Sequence, residues 1–462
     1  MKIKNQKILL TFTLLILTVF PTPAFTISQI ENKKENATQM SEAYWKIWNP
    51  EVQSKIDSDI DRYRKADAIL NFENLPKGTK IEIEQITHSF LFGGNIFLFG
   101  DLGNPELNKK YEDVFGGLFN AATVPFYWKT LEPVKGKPRY EAGSSYAYRR
   151  PATDPVVDFC ESKGINMNGH AIIYGQPQWG PPDWMPNNRK EMESYFEDHI
   201  RDLANRYKGR VQRWDVVNEP TDQSNRAIMP DDYTYKSYLW AMKFFPDSVI
   251  FNINDSDMHW AMPLYRRYLE IVRNLIDRGI RIDNIGMQMH IFNPEESKLI
   301  ADGKDILTPA KLYERLDLMS DAGRPLHVSE VTVSAPNSTD EGKQIQAEIT
   351  RNLYRLWFSY PNTMGITWWN VVDGGAAPGE PSFSGLFTKD MEPKPAYFTL
   401  CELINNEWKT KLTPKIEKDN IIKFRGFKGK YRVTWKDQQG KIKSKEFYLE
   451  NDGDGFENIS KK

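Results

Sequence analysis

The sequence predicts an α/β protein whose main domain is a (β/α)8 TIM barrel. Short apolar runs rich in β-branched residues recur along the chain, and stretches with helical periodicity separate them. Buried strands that alternate with helical crossovers form parallel sheets, and eight such strands close into a barrel. An open parallel sheet is the alternative fold. The eight strand-like runs are residues 90–97, 120–128, 166–174, 213–219, 249–255, 285–291, 326–331 and 365–372.

The N-terminus has the pattern of a secretory signal peptide. Lys2, Lys4 and Lys7 precede an apolar run at residues 8–20, and small residues follow it. The apolar run is too short to span a bilayer comfortably. We therefore expect cleavage after about residue 24, a secreted or periplasmic protein, and no membrane association after cleavage.

The segments on either side of the barrel predict a small accessory β-domain. A helix over residues 43–65 and two strand patterns lie before the barrel, and alternating strand patterns follow it. The C-terminal strands alone are too few for a stable core, so we expect them to pair with the N-terminal ones. This domain either packs against the barrel or binds carbohydrate. The predicted boundaries are 1–24 for the signal, 25–42 for a flexible segment, 43–87 and 409–462 for the accessory domain, and 88–408 for the barrel.

Composition and cysteine use exclude several classes of function. The chain has 61 basic and 62 acidic residues among 462, which argues against a nucleic-acid or membrane-surface partner. Cys160 and Cys401, the only cysteines, lie in amphipathic helical stretches, which favours two free thiols over a disulfide. No spacing suggests a metal site or a phosphate-binding glycine loop, so we expect no cofactor. We expect a monomer.

Two of the strand-like runs end in a glutamate. Glu219 closes the fourth run, and Glu330 lies near the end of the seventh. In a barrel of this type, the carboxyl ends of the strands meet at the mouth, where active sites form. Cleavage of a glycosidic bond needs one carboxylic acid and one carboxylate. The sequence therefore predicts Glu219 and Glu330 as a catalytic pair, although strand-end glutamates also form structural ion pairs.

Other polar and aromatic residues fall at the same predicted strand ends. His170 ends the third run, and Gln288 and His290 lie two apart, hence on one face, at the end of the sixth. Asn218 precedes Glu219, and Trp369 ends the eighth run. Amides, imidazoles and aromatic rings that converge on a cleft suit the hydroxyls and flat faces of a sugar. We take these five as substrate-binding candidates.

The run Trp-Asp-Val-Val-Asn-Glu at 214–219 resembles the acid/base signature of glycoside hydrolase family 10, the endo-1,4-β-xylanase family. The resemblance spans roughly residues 88–405, and the other motifs follow in the family's order. These motifs lie at 169–170, 253–255, 285–290, 329–330, 369–373 and 385–397.

The resemblance implies a mechanism and a role for each candidate. The family retains anomeric configuration, so Glu330 would be the nucleophile and Glu219 the acid/base, with a raised pKa in the resting enzyme. The implied substrate is xylan. By the same likeness Asn218 would bind the 2-hydroxyl, His290 would orient Glu330, Gln288 and His170 would contact the same sugar, and Trp369 would form the stacking floor.

The chain departs from the family on the walls of the site. The Glu-Asn pair and Lys usual on the second strand are replaced by Thr123, Val124 and Tyr127. Tyr174 stands for a Trp, and Thr332 for an Asp that usually supports the histidine. We therefore add Tyr127 and Tyr174 to the sugar-binding candidates and expect apolar and aromatic groups where the family has charged ones.

Three functions remain open from the sequence. The first is a secreted endo-1,4-β-xylanase with unusual contacts. The second is an enzyme of the same mechanism that acts on another β-linked plant or algal polysaccharide or glycoside, because changed hydroxyl partners change which sugar fits. The third is a non-catalytic glycan-binding barrel, which the presence of Glu219, Glu330, Asn218 and His290 disfavours.

Overall fold

The computed structural model describes residues 39–73, 75–221, 226–257, 259, 261–417, 419–455 and 459. The predicted signal peptide and nearly all of the predicted flexible segment lie outside the described residues. Residues 39–462 form one compact unit.

Two helices and two strands precede the barrel: α1 (Glu42–Ile47), α2 (Pro50–Arg64), β1 (Lys65–Asn71) and β2 (Ile81–His88). The single helix predicted over residues 43–65 is wrong, because the chain breaks between α1 and α2. Proline has no N–H to donate and is best placed in the first helical turn, where Pro50 lies. Asn49 caps the new helix, and its side chain accepts a hydrogen bond from the Val52 amide at 3.0 Å.

The barrel consists of eight parallel strand positions in a closed sheet, which confirms the predicted fold. The third position contains two short strands, residues 166–170 and 173–174. Both pair with the strand of the fourth position, and the first of them also pairs with the strand of the second position. The strands are β3 (Leu91–Asn95), β4 (Ala121–Pro125), β5 (Asn166–His170), β6 (Ile173–Tyr174), β7 (Arg213–Asn218), β8 (Ile250–Asp257), β9 (Asn284–Ile291), β10 (Leu326–Val333) and β11 (Thr363–Trp368).

Helices cover the outside of the barrel. They bury one face against the strands, as in the 16-residue helix α8, where Tyr265, Tyr268, Leu269, Val272 and Leu275 repeat at helical spacing. The helices are α3 (Pro105–Gly117), α4 (Trp128–Leu131), α5 (Thr153–Lys163), α6 (Arg189–Tyr207), α7 (Tyr233–Phe244), α8 (Met262–Asp277), α9 (Pro294–Ala301), α10 (Pro309–Ser320), α11 (Asp340–Ser359) and α12 (Pro395–Cys401), followed by a π-helical segment, Glu402–Glu407.

Segments from both ends of the chain form the extra antiparallel sheets. The C-terminal strands are β12 (Lys411–Leu412), β13 (Ile421–Phe427), β14 (Gly429–Lys436) and β15 (Ile442–Leu449). Strand β1 pairs with β13, and β2 lies between β12 and β14, with β15 at the edge. Leu70, Ile83 and Val433 belong to a buried cluster separate from the barrel core. The predicted pairing of the two flanking segments is confirmed.

Both cysteines are free thiols, Cys160 buried and Cys401 half-buried. Among the described residues, no helix is long and apolar enough to cross a membrane.

Candidate active site

The carboxyl ends of the barrel strands surround a cavity of about 220 Å³. Parallel strands deliver their last side chains to one mouth, so residues far apart in sequence meet there. The structure brings all nine predicted site residues to this cavity. They are Tyr127, His170, Tyr174, Asn218, Glu219, Gln288, His290, Glu330 and Trp369.

Glu219 follows β7 with a left-handed backbone conformation, φ +49°. Such a conformation is costly for a residue other than glycine and persists where the surroundings hold it. The Glu219 amide donates to the Asn254 carbonyl at 2.7 Å. The Thr221 amide donates to the Asp255 carboxylate at 2.6 Å, which fixes the turn that follows. The side chain of Glu219 is thereby directed into the cavity.

Glu330 lies within β10 and is almost fully buried. Its Oε1 accepts from Asn254 Nδ2 at 2.7 Å, and the same nitrogen is 2.7 Å from Asn218 Oδ1. Its Oε2 lies 3.2 Å from His290 Nε2. Donors to both oxygens stabilise the carboxylate and fix its orientation, as a nucleophile that attacks in one direction requires.

One amide nitrogen connects the two glutamates. Gln288 Nε2 lies 3.0 Å from Glu219 Oε1 and 3.2 Å from Glu330 Oε1. The two oxygens can therefore be no farther apart than these distances added together. This limit is shorter than the roughly 6.5–9.5 Å between the carboxyl groups of inverting glycosidases, which must leave room for water, and it agrees with a retaining arrangement.

The surroundings of Glu219 favour its protonated form. Burial raises the pKa of this carboxyl, and the nearby charge of Glu330 raises it further. Hydrogen bonds from Tyr174 and Gln288 act in the opposite direction but do not cancel the effect. A carboxyl that stays protonated next to an ionised one is the pattern of a general acid.

Replacement of Tyr174 by phenylalanine should move the alkaline limit of activity to higher pH. The acid role predicted for Glu219 requires its protonated form, so we expect activity below the pKa of Glu219 and loss of activity as the pH rises through it. The Tyr174 hydroxyl stabilises the ionised form, and its removal raises this pKa further. The measurement is kcat/KM against pH with an aryl β-glycoside.

The matched control is Tyr448→Phe, which removes an exposed hydroxyl from the accessory sheet. An alkaline limb of Tyr174→Phe that stays in place or moves down would contradict the role of the Tyr174 hydrogen bond.

His290 has a rebuilt support. Its Nδ1 lies 2.9 Å from Thr332 Oγ1, where the resemblance leads one to expect an aspartate. The ring stacks on Phe292 at 4.4 Å between centroids, and the backbone amide donates to Asp257 Oδ2 at 3.1 Å. Burial disfavours the imidazolium, but the hydrogen bond and charge of Glu330 outweigh it and raise the pKa of His290.

His170 forms a second buried pair with Asp215, Nδ1 to Oδ2 at 2.7 Å. Burial opposes ionisation of Asp215, yet the bond to His170 lowers the pKa of that carboxyl. Burial also disfavours a charged His170, but Asp215 and Glu330 raise its pKa. Its Nε2 is 3.9 Å from Glu330 Oε1, so the protonated form of His170 would stabilise the Glu330 carboxylate. Sequence reasoning missed Asp215, although a carboxylate within a buried strand was a usable signal.

Aromatic rings form one wall of the cavity. Phe97 contacts Trp369 and Tyr127 with centroids 5.2 and 5.9 Å apart, and Tyr127 contacts Trp179 at 5.9 Å. The two Phe97 contacts are edge-to-face and the Tyr127–Trp179 contact is tilted, and such contacts hold the rings in place. Phe97 was not among the sequence candidates, because it ends the first run without any polar neighbour.

Besides Phe97 and Trp179, four residues with charged or aromatic side chains line the cavity and were not predicted. Tyr127, which follows the second strand, lines the cavity as an aromatic group, and loops add charged groups that the sequence did not predict. Arg149 pairs with Glu380 at 3.3 Å and donates to Asn370 at 3.1 Å. No periodic pattern marks these loop positions in the sequence. The four are Arg149, Arg150, Phe292 and Glu380. Among the described residues, no group of three or more His, Cys, Asp or Glu could hold a metal ion.

A family model described as glycosyl hydrolase family 10 matches residues 101–403. The chain belongs to glycosyl hydrolase family 10. Among its relatives in this family, endo-1,4-β-xylanase B of Thermotoga neapolitana is 24% identical, over 73% of this chain and 94% of its own. A β-1,4-xylanase of Dictyoglomus thermophilum is 25% identical, over 63% of this chain and 84% of its own.

Solved structures show the same fold. Native xylanase 10B from Thermotoga maritima superposes with a TM-score of 0.56 at 21% identity, over 69% of this chain and 96% of that one. Membership of glycosyl hydrolase family 10 confirms the predicted enzyme class, a retaining glycoside hydrolase.

Proposed function

We propose that the protein is a retaining endo-1,4-β-xylanase that acts on xylan. The observation that carries the proposal is the amide of Gln288 within hydrogen-bond distance of both Glu219 and Glu330, which keeps the two carboxyl groups close enough for double displacement. The names of the relatives within glycosyl hydrolase family 10 support xylan as the substrate.

In the first step, Glu330 attacks the anomeric carbon while the bond from that carbon to the glycosidic oxygen breaks. Glu219 gives its proton to the departing oxygen, and a glycosyl ester of Glu330 forms. The proton on Glu219 is available because burial and the charge of Glu330 raise the pKa of Glu219.

In the second step, water attacks the anomeric carbon and the ester bond to Glu330 breaks. Glu219 now takes a proton from the water, because the esterified Glu330 no longer carries the charge that raised the pKa of Glu219. Two displacements at one carbon restore the β configuration.

The remaining groups hold the sugar. Asn218 accepts a hydrogen bond from Asn254 through its Oδ1, which leaves its NH2 group to donate to the 2-hydroxyl. Trp369 lies across the cavity as the stacking surface. His170 and Gln288 contact the same sugar, while His290 orients Glu330. Tyr127 and Tyr174 meet the sugar on the second- and third-strand side.

A polysaccharide panel with product analysis tests the proposal. We expect release of oligosaccharides from xylan, with the β-anomer seen first by proton NMR and the α-anomer appearing later by mutarotation. If the enzyme cleaves another β-glycan and leaves xylan intact, the substrate is not xylan, and the second candidate, an enzyme of the same mechanism on another β-linked glycan, is correct. That candidate is favoured by the loop groups Arg149, Arg150 and Glu380 at the altered wall.

The cellular setting belongs to the same proposal. We propose export through the signal pattern at residues 1–24, giving a secreted or periplasmic enzyme that works as a monomer without nucleic acid or membrane partners. The balanced charge of the chain supports the absence of a nucleic-acid or membrane-surface partner. Detection of the mature enzyme, lacking its leader, outside the cytoplasm tests export.

A further inference from the structure

Arg150 carries a buried charge on the wall of the catalytic cavity. Its guanidinium carbon lies 3.8 Å from the centre of the Tyr127 ring, 4.9 Å from Trp179 and 5.0 Å from Phe97. Only 5% of the residue is exposed, and it lines the same cavity as Glu219 and Glu330. Cation–π contacts position the group, but they do not neutralise it.

Arg150 differs from its neighbour in having no carboxylate partner. Arg149 is paired with Glu380 at 3.3 Å. Across the residues that the structure describes, no carboxylate forms an ion pair with Arg150, and its buried Nε has no hydrogen-bond acceptor. Its Nη1 donates to the Arg149 carbonyl at 2.9 Å. Burial lowers the pKa of Arg150 to about 10, which still leaves a cation at neutral pH.

A buried charge is costly unless an opposite charge meets it. Arg150 lines the catalytic cavity, so an opposite charge carried by the substrate can reach it there. An anion next to the cleaved bond would be repelled by the two glutamates. An anion near Tyr127 and Trp179 would instead be attracted by Arg150, which lies against these rings. A guanidinium presents parallel N–H donors whose geometry matches a carboxylate.

We propose that Arg150 binds the carboxylate of a uronic acid carried by the glycan, on the sugar that lies against Tyr127 and Trp179, so that acidic xylans are the preferred substrates. This inference rests on the proposed xylanase function and specifies its substrate class. Arg149, neutralised by Glu380, holds the loop and the end of the eighth strand through Asn370.

The test compares glucuronoxylan with the same polymer after chemical reduction of its carboxyl groups to alcohols. The two substrates differ only in the anion. For the full-length enzyme we expect kcat/KM to be about 10- to 100-fold higher on the acidic polymer, the value of a charge-assisted hydrogen bond. Arg150→Met should lose this preference, so that its kcat/KM becomes equal on the two polymers.

Two further variants separate recognition from folding. Arg278→Met removes another arginine stacked on a tyrosine, 3.5 Å from the Tyr235 ring but exposed on the outer surface, and should keep the preference. Arg150→Lys keeps the positive charge but lacks the parallel N–H donors of the guanidinium, so it should retain part of the preference. Equal losses on both polymers in Arg150→Met and Arg150→Lys, or a wild-type enzyme indifferent to the carboxyl groups, would overturn the proposal.

If neither xylan is cleaved, the proposed xylanase function is refuted, but the carboxylate site is not. A binding measurement then tests that site. Thermal unfolding is then followed with high millimolar glucuronate, glucose, or sulfate, with sodium chloride at matched ionic strength. We expect glucuronate to raise the Tm of the wild type and not of Arg150→Met, since ligands that bind the native state stabilise it. No response to glucuronate, or a response to sulfate alone, would refute the carboxylate site.

Discussion

Replacement of Glu330 by alanine should reduce hydrolysis of every true substrate by a factor on the order of 10⁴ to 10⁶, the usual consequence of removing a nucleophile. The carboxylate is held by donors from Asn254 and His290, and no other carboxylate has this position among the described residues of the cavity. The measurement is kcat on an aryl β-xyloside and on xylan. The exposed Glu106→Ala in the first turn of α3 is the matched control and should keep full activity.

Chemical rescue of a second variant, Glu330→Gly, gives a sharper readout. Azide can enter the space left in Glu330→Gly, form a bond to the anomeric carbon from the nucleophile's side and release the aryl alcohol. The expected product from a β-glycoside is therefore the α-glycosyl azide. A β-glycosyl azide, or residual activity above about one hundredth of the wild type, would contradict the assignment of Glu330 as nucleophile.

Replacement of Glu219 by alanine should have an effect that depends on the leaving group. Protonation by a general acid contributes roughly 10²- to 10⁴-fold, and substrates that need it should lose that factor. Dinitrophenolate leaves without protonation, so the first step on a dinitrophenyl glycoside should stay close to the wild-type rate. The measurements are kcat/KM for a series of aryl glycosides and the pH profile of each.

The alkaline limb of the pH profile should also disappear in Glu219→Ala, because its origin is deprotonation of Glu219, whose pKa burial and Glu330 raise. Equal loss on good and poor leaving groups would mean that Glu219 is not the acid. Azide added to this variant should give the β-glycosyl azide, since it then attacks the glycosyl ester of Glu330.

The barrel and the meeting of Glu219 and Glu330 at its mouth could be predicted because buried parallel strands have a recognisable sequence pattern. A strand covered on both faces is a continuous apolar run, so a polar residue at its end, such as Glu219 or Gln288, stands out. The same reasoning failed at residues 43–65, where helical periodicity continued across Pro50 and concealed the break between two helices.

The substrate wall could not be predicted for a different reason. Arg149, Arg150 and Glu380 lie in irregular loops, and no period in the sequence says which way a loop side chain points. On the second strand, the comparison with the family suggested that the substrate wall had lost its charged groups. In the structure the charge comes from neighbouring loops instead, and Thr332 similarly takes over a support for His290.

The sheets of the accessory domain can form only in a certain order as the chain is synthesised. Strands β1 and β2 leave the ribosome early, but their partners β12, β13 and β14 follow only after the entire barrel has been made. Until then, the N-terminal strands expose unpaired backbone edges and apolar side chains such as Leu70 and Ile83, a state prone to wrong association. The small domain can therefore be completed only after the barrel segment has been synthesised, and its sheets join the segments that precede and follow the barrel.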